Sequence, residues 1–179
     1  NVGIKAAEKA GFGPVGQIFG SVLGAKTPQK ISSIVKSFSK NPAKTSNNLF
    51  KQVSSRATKN YSESEKLLKN KLADAKPLEA KIMPLYEEVS DLNPKKRNFD
   101  LGKDIDSLMS SIHGGKLDIN KAKSLKKQFL HEAYSKNHEP YIKRYYSTMA
   151  DNIRDWIYGL EDSYGKGISL YKEADEIYP

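Results

Sequence analysis

The chain has 179 residues and no cysteine. Disulfides, thiolate nucleophiles and cysteine-ligated zinc are therefore excluded, and cysteine usage leaves the redox compartment open. Acidic residues are almost missing from its beginning. Residues 1–60 contain Glu8 alone against ten bases (Lys5, Lys9, Lys26, Lys30, Lys36, Lys40, Lys44, Lys51, Arg56, Lys59), which is 10 − 1 = +9. The formal charge of the whole chain is also +9, so the remaining residues balance and the entire excess lies in the first third. Such segregation reads as a basic arm, or a contact for an anionic surface, attached to an electrically neutral body.

Long apolar runs are lacking too. Hydrophobic residues make up 37% and charged residues 28% of the chain, which leaves less apolar surface per residue to offset chain entropy. Elongated helices or dependence on partners are expected. The most apolar window, Phe12 to Ala25, is shorter than the roughly 20 residues of a bilayer span. Lysines flank it, so it suits a helix lying in a membrane interface or packed in a multimer better than an autonomous span. No secretory-signal pattern is present and residue 1 is Asn, so a processed chain or a segment of a longer protein is expected.

Alternating strand patterns and hairpin signals are scarce, whereas apolar residues recur at helical spacing almost throughout. The fold expected is all-α: elongated helices and helical hairpins, with residues 1–75 a basic, Gly-rich leader and extended helices, and residues 76–179 a helical bundle. In the leader, Val15, Ile18, Phe19, Val22 and Leu23 share one helix face beside a seam of Gly16, Gly20 and Gly24. A Gly-x-x-x-Gly seam lets a second backbone approach closely, so Gly16, Ile18, Phe19, Gly20, Val22, Leu23 and Gly24 are the candidate helix-packing or membrane-contact residues. A flexible Gly-rich linker helix packing on its own chain is the competing reading, because each glycine weakens a helix by about 1 kcal/mol relative to alanine.

A basic helix through Ile31, Ile34, Val35 and Phe38 follows, and the cluster KTSNN is positioned to cap a third that runs from about Leu49 to about Ala75. Pro77 opens the next, with Pro84 bending it. Ile105, Leu108, Met109 and Ile112 form a short amphipathic helix that ends at HGG, where Gly114 suits a left-handed C-terminal position. Asp118 caps a helix with Ile119, Ala122, Leu125, Phe129 and Ala133, giving a helical hairpin. After NHEP, a periodic run from Ile142 to Tyr164 is stopped by GKG, and ISLYKEADEIY closes the chain.

The candidate nucleic-acid contacts are Lys26, Lys30, Lys36, Lys40, Lys44, Lys51, Arg56 and Lys59, which could neutralise several phosphates without reading sequence. Base stacking has little support, since Phe12, Phe19, Phe38 and Phe50 all fit apolar faces. A solvated face or anionic lipid would use the same charges. Catalysis finds no constellation. HEAYS, at 131–135, starts like a zinc-protease helix, but Ser135 stands where the second histidine is required. Exposed or capping roles are expected for His131 and His138, and Glu87–Glu88, Asp104/Asp106 and Glu161–Asp162 read as surface acids without partners. No enzyme, metal or cofactor is expected. Most late aromatics read as core or intersubunit packing, whereas Tyr134, Tyr141 and Tyr158 fall off the main stripe and are candidates for a partner surface.

The order of these features resembles segments of the internal virion proteins of tailed bacteriophages, also called pilot or DNA-ejection proteins. The residues carrying the resemblance are Gly16, Gly20 and Gly24, the segment HGGKLDINKAKSLKKQFLHEAY from His113 to Tyr134, and LYKEADEIYP from Leu170 to Pro179. It implies a non-enzymatic, homo-oligomeric structural protein of the capsid interior, stacked near the portal with other virion proteins. It further implies a basic arm against packaged DNA and contact with the host envelope during ejection. A peptidoglycan-cleaving activity found in some relatives has no matching residues here.

Overall fold

The computed structural model describes residues 42–91 and 99–177, and within them the fold is all-α. Seven helices occur among these residues: α1 (Pro42–Leu67), α2 (Lys76–Ser90), α3 (Phe99–Ser110), α4 (Ile119–Tyr134), α5 (Pro140–Gly159), α6 (Glu161–Tyr164) and α7 (Lys166–Asp175). Two three-residue strands, β1 (Leu72–Asp74) and β2 (Lys116–Asp118), pair antiparallel with Ala73 opposite Leu117. Contacts divide the described chain into two compact units, 42–63 with 170–177 and 64–169.

In the larger unit, α4 and α5 form the principal helix pair, joined by a five-residue connection, and α2 packs on both α5 and α3. The apolar stripes read from the sequence supply this core. Ile82, Ile105, Leu125, Phe129, Met149 and Ile153 are all essentially inaccessible, and each such side chain contributes about 1.5–3 kcal/mol of burial. Phe129 and Tyr146 meet across α4 and α5 with ring centroids 6.1 Å apart. Asp118 caps α4 as its position predicts, its carboxylate accepting from the Lys121 amide at 2.8 Å.

Several boundaries differ from the periodicity. KTSNN lies within the first turns of α1, because Pro42 already opens that helix; proline is tolerated where the amide has no intrahelical partner. The helix expected to reach Ala75 stops at Leu67. Asn70 turns the chain with φ +59°, a conformation asparagine tolerates better than most residues, and β1 begins two residues later, at Leu72. Leu72, within the span expected to be helical, is 56% exposed, while Ala73 points inward.

Gly114 is not the C-terminal cap of α3, which ends at Ser110. Instead His113 and Lys116 exchange backbone hydrogen bonds of 2.9 and 3.1 Å around Gly114 (φ +59°) and Gly115 (φ +74°). Two central residues at positive φ define a two-residue hairpin turn that only glycine adopts without strain. Beyond that turn Leu117 enters the core, and the Gly115 carbonyl accepts from the Ala75 amide at 2.8 Å at the end of the ribbon. Trp156 of α5 reinforces the ribbon, its Nε1 donating to the Asp74 carbonyl at 2.9 Å. The run expected to continue to Tyr164 breaks at Leu160, giving the single turn α6 before Gly165 at φ +46°.

The smaller unit pairs the first part of α1 with the chain's final described residues. Leu49, Val53, Ala57 and Asn60 are its buried face on α1. Tyr61 stands edge-on to Tyr171 at 5.8 Å and its hydroxyl donates to Asp175 Oδ1 at 3.3 Å.

Candidate nucleic-acid interface

Of the charged candidates, Lys44, Lys51, Arg56 and Lys59 fall in the structure and are exposed on α1. Lys26, Lys30, Lys36 and Lys40 lie outside the described residues, as does the whole glycine seam of Gly16, Ile18, Phe19, Gly20, Val22, Leu23 and Gly24. The four described bases do not act alike. At 100° per residue, Lys44, Lys51 and Lys59 fall within a sector of about 80°, rising about 22 Å along the helix. The buried face of Leu49, Val53, Ala57 and Asn60 lies on nearly the opposite side. The same sector of α1 also holds Asn48, Ser55, Ser62 and Lys66, all polar, with no acid.

Arg56 lies off this stripe. Its guanidinium donates to Glu173 Oε2 at 2.9 Å, and the Asn60 amide donates to the same oxygen at 3.2 Å. Arg56 therefore ties α1 to α7 in the smaller unit, an exposed ion pair worth at most about 1 kcal/mol. Periodicity alone separates the stripe from Arg56, but the Glu173 contact joins residues 117 positions apart and leaves no local signal.

Two polar clusters inside the larger unit were not anticipated. Lys123 is buried on α4, its Nζ donating to Ser64 Oγ at 3.1 Å and to Asn120 Oδ1 at 3.2 Å. Ser64 in turn donates to the Gly167 carbonyl at 2.8 Å, and Asn120 donates to the Glu65 carbonyl at 2.9 Å. Burial pulls the Lys123 ammonium down to about 8, against a smaller opposing pull from Glu65. A sequence signal existed: Lys123 follows Ile119 by four positions, and Lys126 stands at the i+4 slot of the Ala122 stripe. Both occupy core phase on an otherwise apolar face.

The second cluster joins α3, α4 and α5. The Tyr146 hydroxyl donates to Asp104 Oδ2 at 2.8 Å and the Gln128 amide donates to Asp104 Oδ1 at 3.0 Å. Burial raises the Asp104 carboxyl, and the Tyr146 hydrogen bond offsets part of that rise. Tyr146 is itself pushed well upward by burial and by the carboxylate it serves. His138 packs on the Tyr146 ring at 5.3 Å, with Nε2 2.7 Å from Glu132 Oε2. His138 is thus a largely enclosed partner of Glu132, not an exposed or capping histidine, whereas His131 is exposed.

The surface acids are likewise better partnered than their sequence implied. Glu161 accepts from Ser169 Oγ at 2.7 Å, and Glu88 takes a hydrogen bond from Tyr145. Among the described residues no buried side-chain nitrogen or oxygen lacks a partner. The off-stripe tyrosines differ: Tyr134 is 80% exposed, Tyr141 borders on exposed and Tyr158 is half-buried.

The chain matches no protein-family model, no curated protein and no solved structure. Among the described residues no helix is long and apolar enough to cross a membrane, and none group three or more potential metal ligands at one point. The chemistry that the exposed groups of α1 can perform is the neutralisation of a polyanion.

Proposed function

We propose that this chain is a non-enzymatic structural component that packs as helices against nucleic acid, in the manner of an internal virion or genome-ejection protein of a tailed phage. On this reading it resides in the capsid interior as a homo-oligomer near the portal, with the basic first third against packaged DNA and the glycine-seamed helix serving helix packing or envelope contact on ejection. The observation that carries the reading is the placement of charge. The whole +9 excess lies in residues 1–60, and where that segment is described its lysines turn away from the buried face of α1 and toward solvent. A free-standing, sequence-independent nucleic-acid-binding module is the second reading, favoured by the same lysine stripe.

Light scattering coupled to size exclusion, at low and high salt with and without duplex DNA, separates them. A virion assembly component gives a defined oligomer without DNA, which gains mass with duplex at low salt. A monomer that grows only when DNA is added favours the module, and a monomer in all four conditions refutes both.

A further inference from the structure

Resting on the reading of a nucleic-acid partner, we infer that the solvent face of α4 is a contact for single-stranded nucleic acid, with Tyr134 stacking on an unpaired base and Lys127, His131 and Lys136 holding the adjoining phosphates. At 100° per residue, Asn120, Ser124, Lys127, His131 and Tyr134 fill a sector of about 80°, opposite the buried Ala122, Leu125 and Phe129. Lys127 precedes His131 by about 6 Å and Tyr134 by about 10 Å along the axis. Lys127 and His131 are exposed. Tyr134 is 80% exposed, the highest value among the described large apolar and aromatic residues, so its ring adds little to the core. Ser135 takes an extended backbone and ends α4. The ring therefore stands at the corner where the chain turns toward α5, with the exposed Lys136 two residues on. Glu132 is the only acid of α4, and its Oε2 lies 2.7 Å from His138 Nε2.

A duplex keeps its base faces stacked inside, whereas a single strand presents them. An aromatic ring set among cations accepts any base, because every base has a π-face. An anionic bilayer is the less fitting occupant. A helix in a membrane interface inserts a continuous apolar face, but Ile119, Ala122, Leu125 and Phe129 of α4 are already buried, which leaves one ring at the helix end.

The test uses the full chain with a fluorescent oligothymidylate, which forms no duplex, and in parallel a fluorescent duplex, with affinity followed from about 50 to 200 mM NaCl. The variants are Y134A, Y134F and the double K127Q/K136Q. Stacking releases no counterions, so Y134A should weaken oligothymidylate binding by about 5- to 100-fold at every salt concentration, with the slope of log affinity against log salt unchanged. Y134F should keep the wild-type affinity, and Y134A should leave duplex binding as it was. K127Q/K136Q should lower the single-strand slope by about 1.4, at about 0.7 per phosphate. All substituted groups are exposed, and unchanged circular dichroism of each variant verifies folding. The assignment is overturned while the nucleic-acid reading stands if the wild type binds duplex alone, if Y134A binds oligothymidylate like wild type, or if Y134A weakens duplex and single strand alike. An unchanged slope in K127Q/K136Q overturns it as well. If the wild type binds neither nucleic acid at low salt, the reading falls and the assignment with it. Phosphatidylserine vesicles provide the remaining arm: a loss of vesicle binding in Y134A, with oligothymidylate binding unaltered, overturns the assignment in favour of lipid.

Discussion

Replacing Lys123 with methionine should change how stability depends on pH. In the folded protein its ammonium titrates at about 8, against an ordinary value of 10.5. Between those values the unfolded chain binds more protons than the folded one. Stability therefore rises with pH from about 8 toward 10, and the burden is fully present below 8, where both states carry the charge. Linkage between about pH 7 and 9.5 gives about 2 kcal/mol, and partial solvent screening lowers this to about 1 kcal/mol. Methionine fills a similar volume without charge. Ser64 keeps its bond to the Gly167 carbonyl, and Asn120 is only half-buried and can hydrate. The variant should thus be as stable as wild type or about 1 kcal/mol more stable at pH 7, because the desolvation cost of a buried ammonium has been removed. Urea denaturation of both proteins at the two pH values measures this, and other titrating groups cancel in the difference. Parallel shifts of the two midpoints, or a variant weakened by several kcal/mol at both pH values, would refute the reasoning.

Gly102 and Gly167 should respond oppositely to an added side chain. A Cβ at Gly102 meets nothing within 4 Å, so Gly102→Ala should stabilise α3 by about 0.5–1 kcal/mol in thermal melts. At Gly167 a Cβ would stand 2.8 Å from Leu68 Cδ2 and 2.9 Å from its Cγ; Leu68 is itself buried, so Gly167→Val should lose about 1–3 kcal/mol. Alanine at Gly114 or Gly115 forces a side chain into positive φ and should cost about 1 kcal/mol at each position, read as a lower urea midpoint. Tyr146→Phe removes the donor to Asp104 at 2.8 Å; a loss of about 1–2 kcal/mol at neutral pH is expected, along with a further rise of the Asp104 carboxyl detectable by NMR titration. No change in either quantity would mean that the hydroxyl is not engaged.

The sequence carried the helices and their apolar faces because period is a local property. Ile142, Met149, Ile153 and Ile157 announce α5 from spacing alone, and Asp118 announces the start of α4. The β-ribbon stayed hidden, since its strands are three residues long and come from segments some forty positions apart, too short for alternation to register. Its turn was visible as Gly114-Gly115, yet two adjacent glycines serve equally as a helix stop. The polar clusters failed to show for a similar reason. Tyr146 and Asp104 sit in unremarkable helical contexts, and only the packing of α3 against α4 and α5 brings them together. Lys123 and Lys126 did leave a trace, as charges in core phase, and a periodicity reading that tracks cations as well as apolar residues would have found them. For the basic face, helical phase already sets Arg56 apart from Lys51 and Lys59, but the helix was expected only from about Leu49, so Lys44 joins that phase only because Pro42 opens α1, and the Arg56–Glu173 contact left no local signal.

A cationic helix face set against a nucleic-acid backbone makes binding depend on salt and not on sequence, which the full chain's affinity for two duplexes of unrelated sequence, followed across NaCl concentrations, measures. Equal affinities for both are expected, each falling log-linearly as NaCl is raised. Absence of binding at low salt, a salt-insensitive affinity, or a strong preference for one sequence would contradict it.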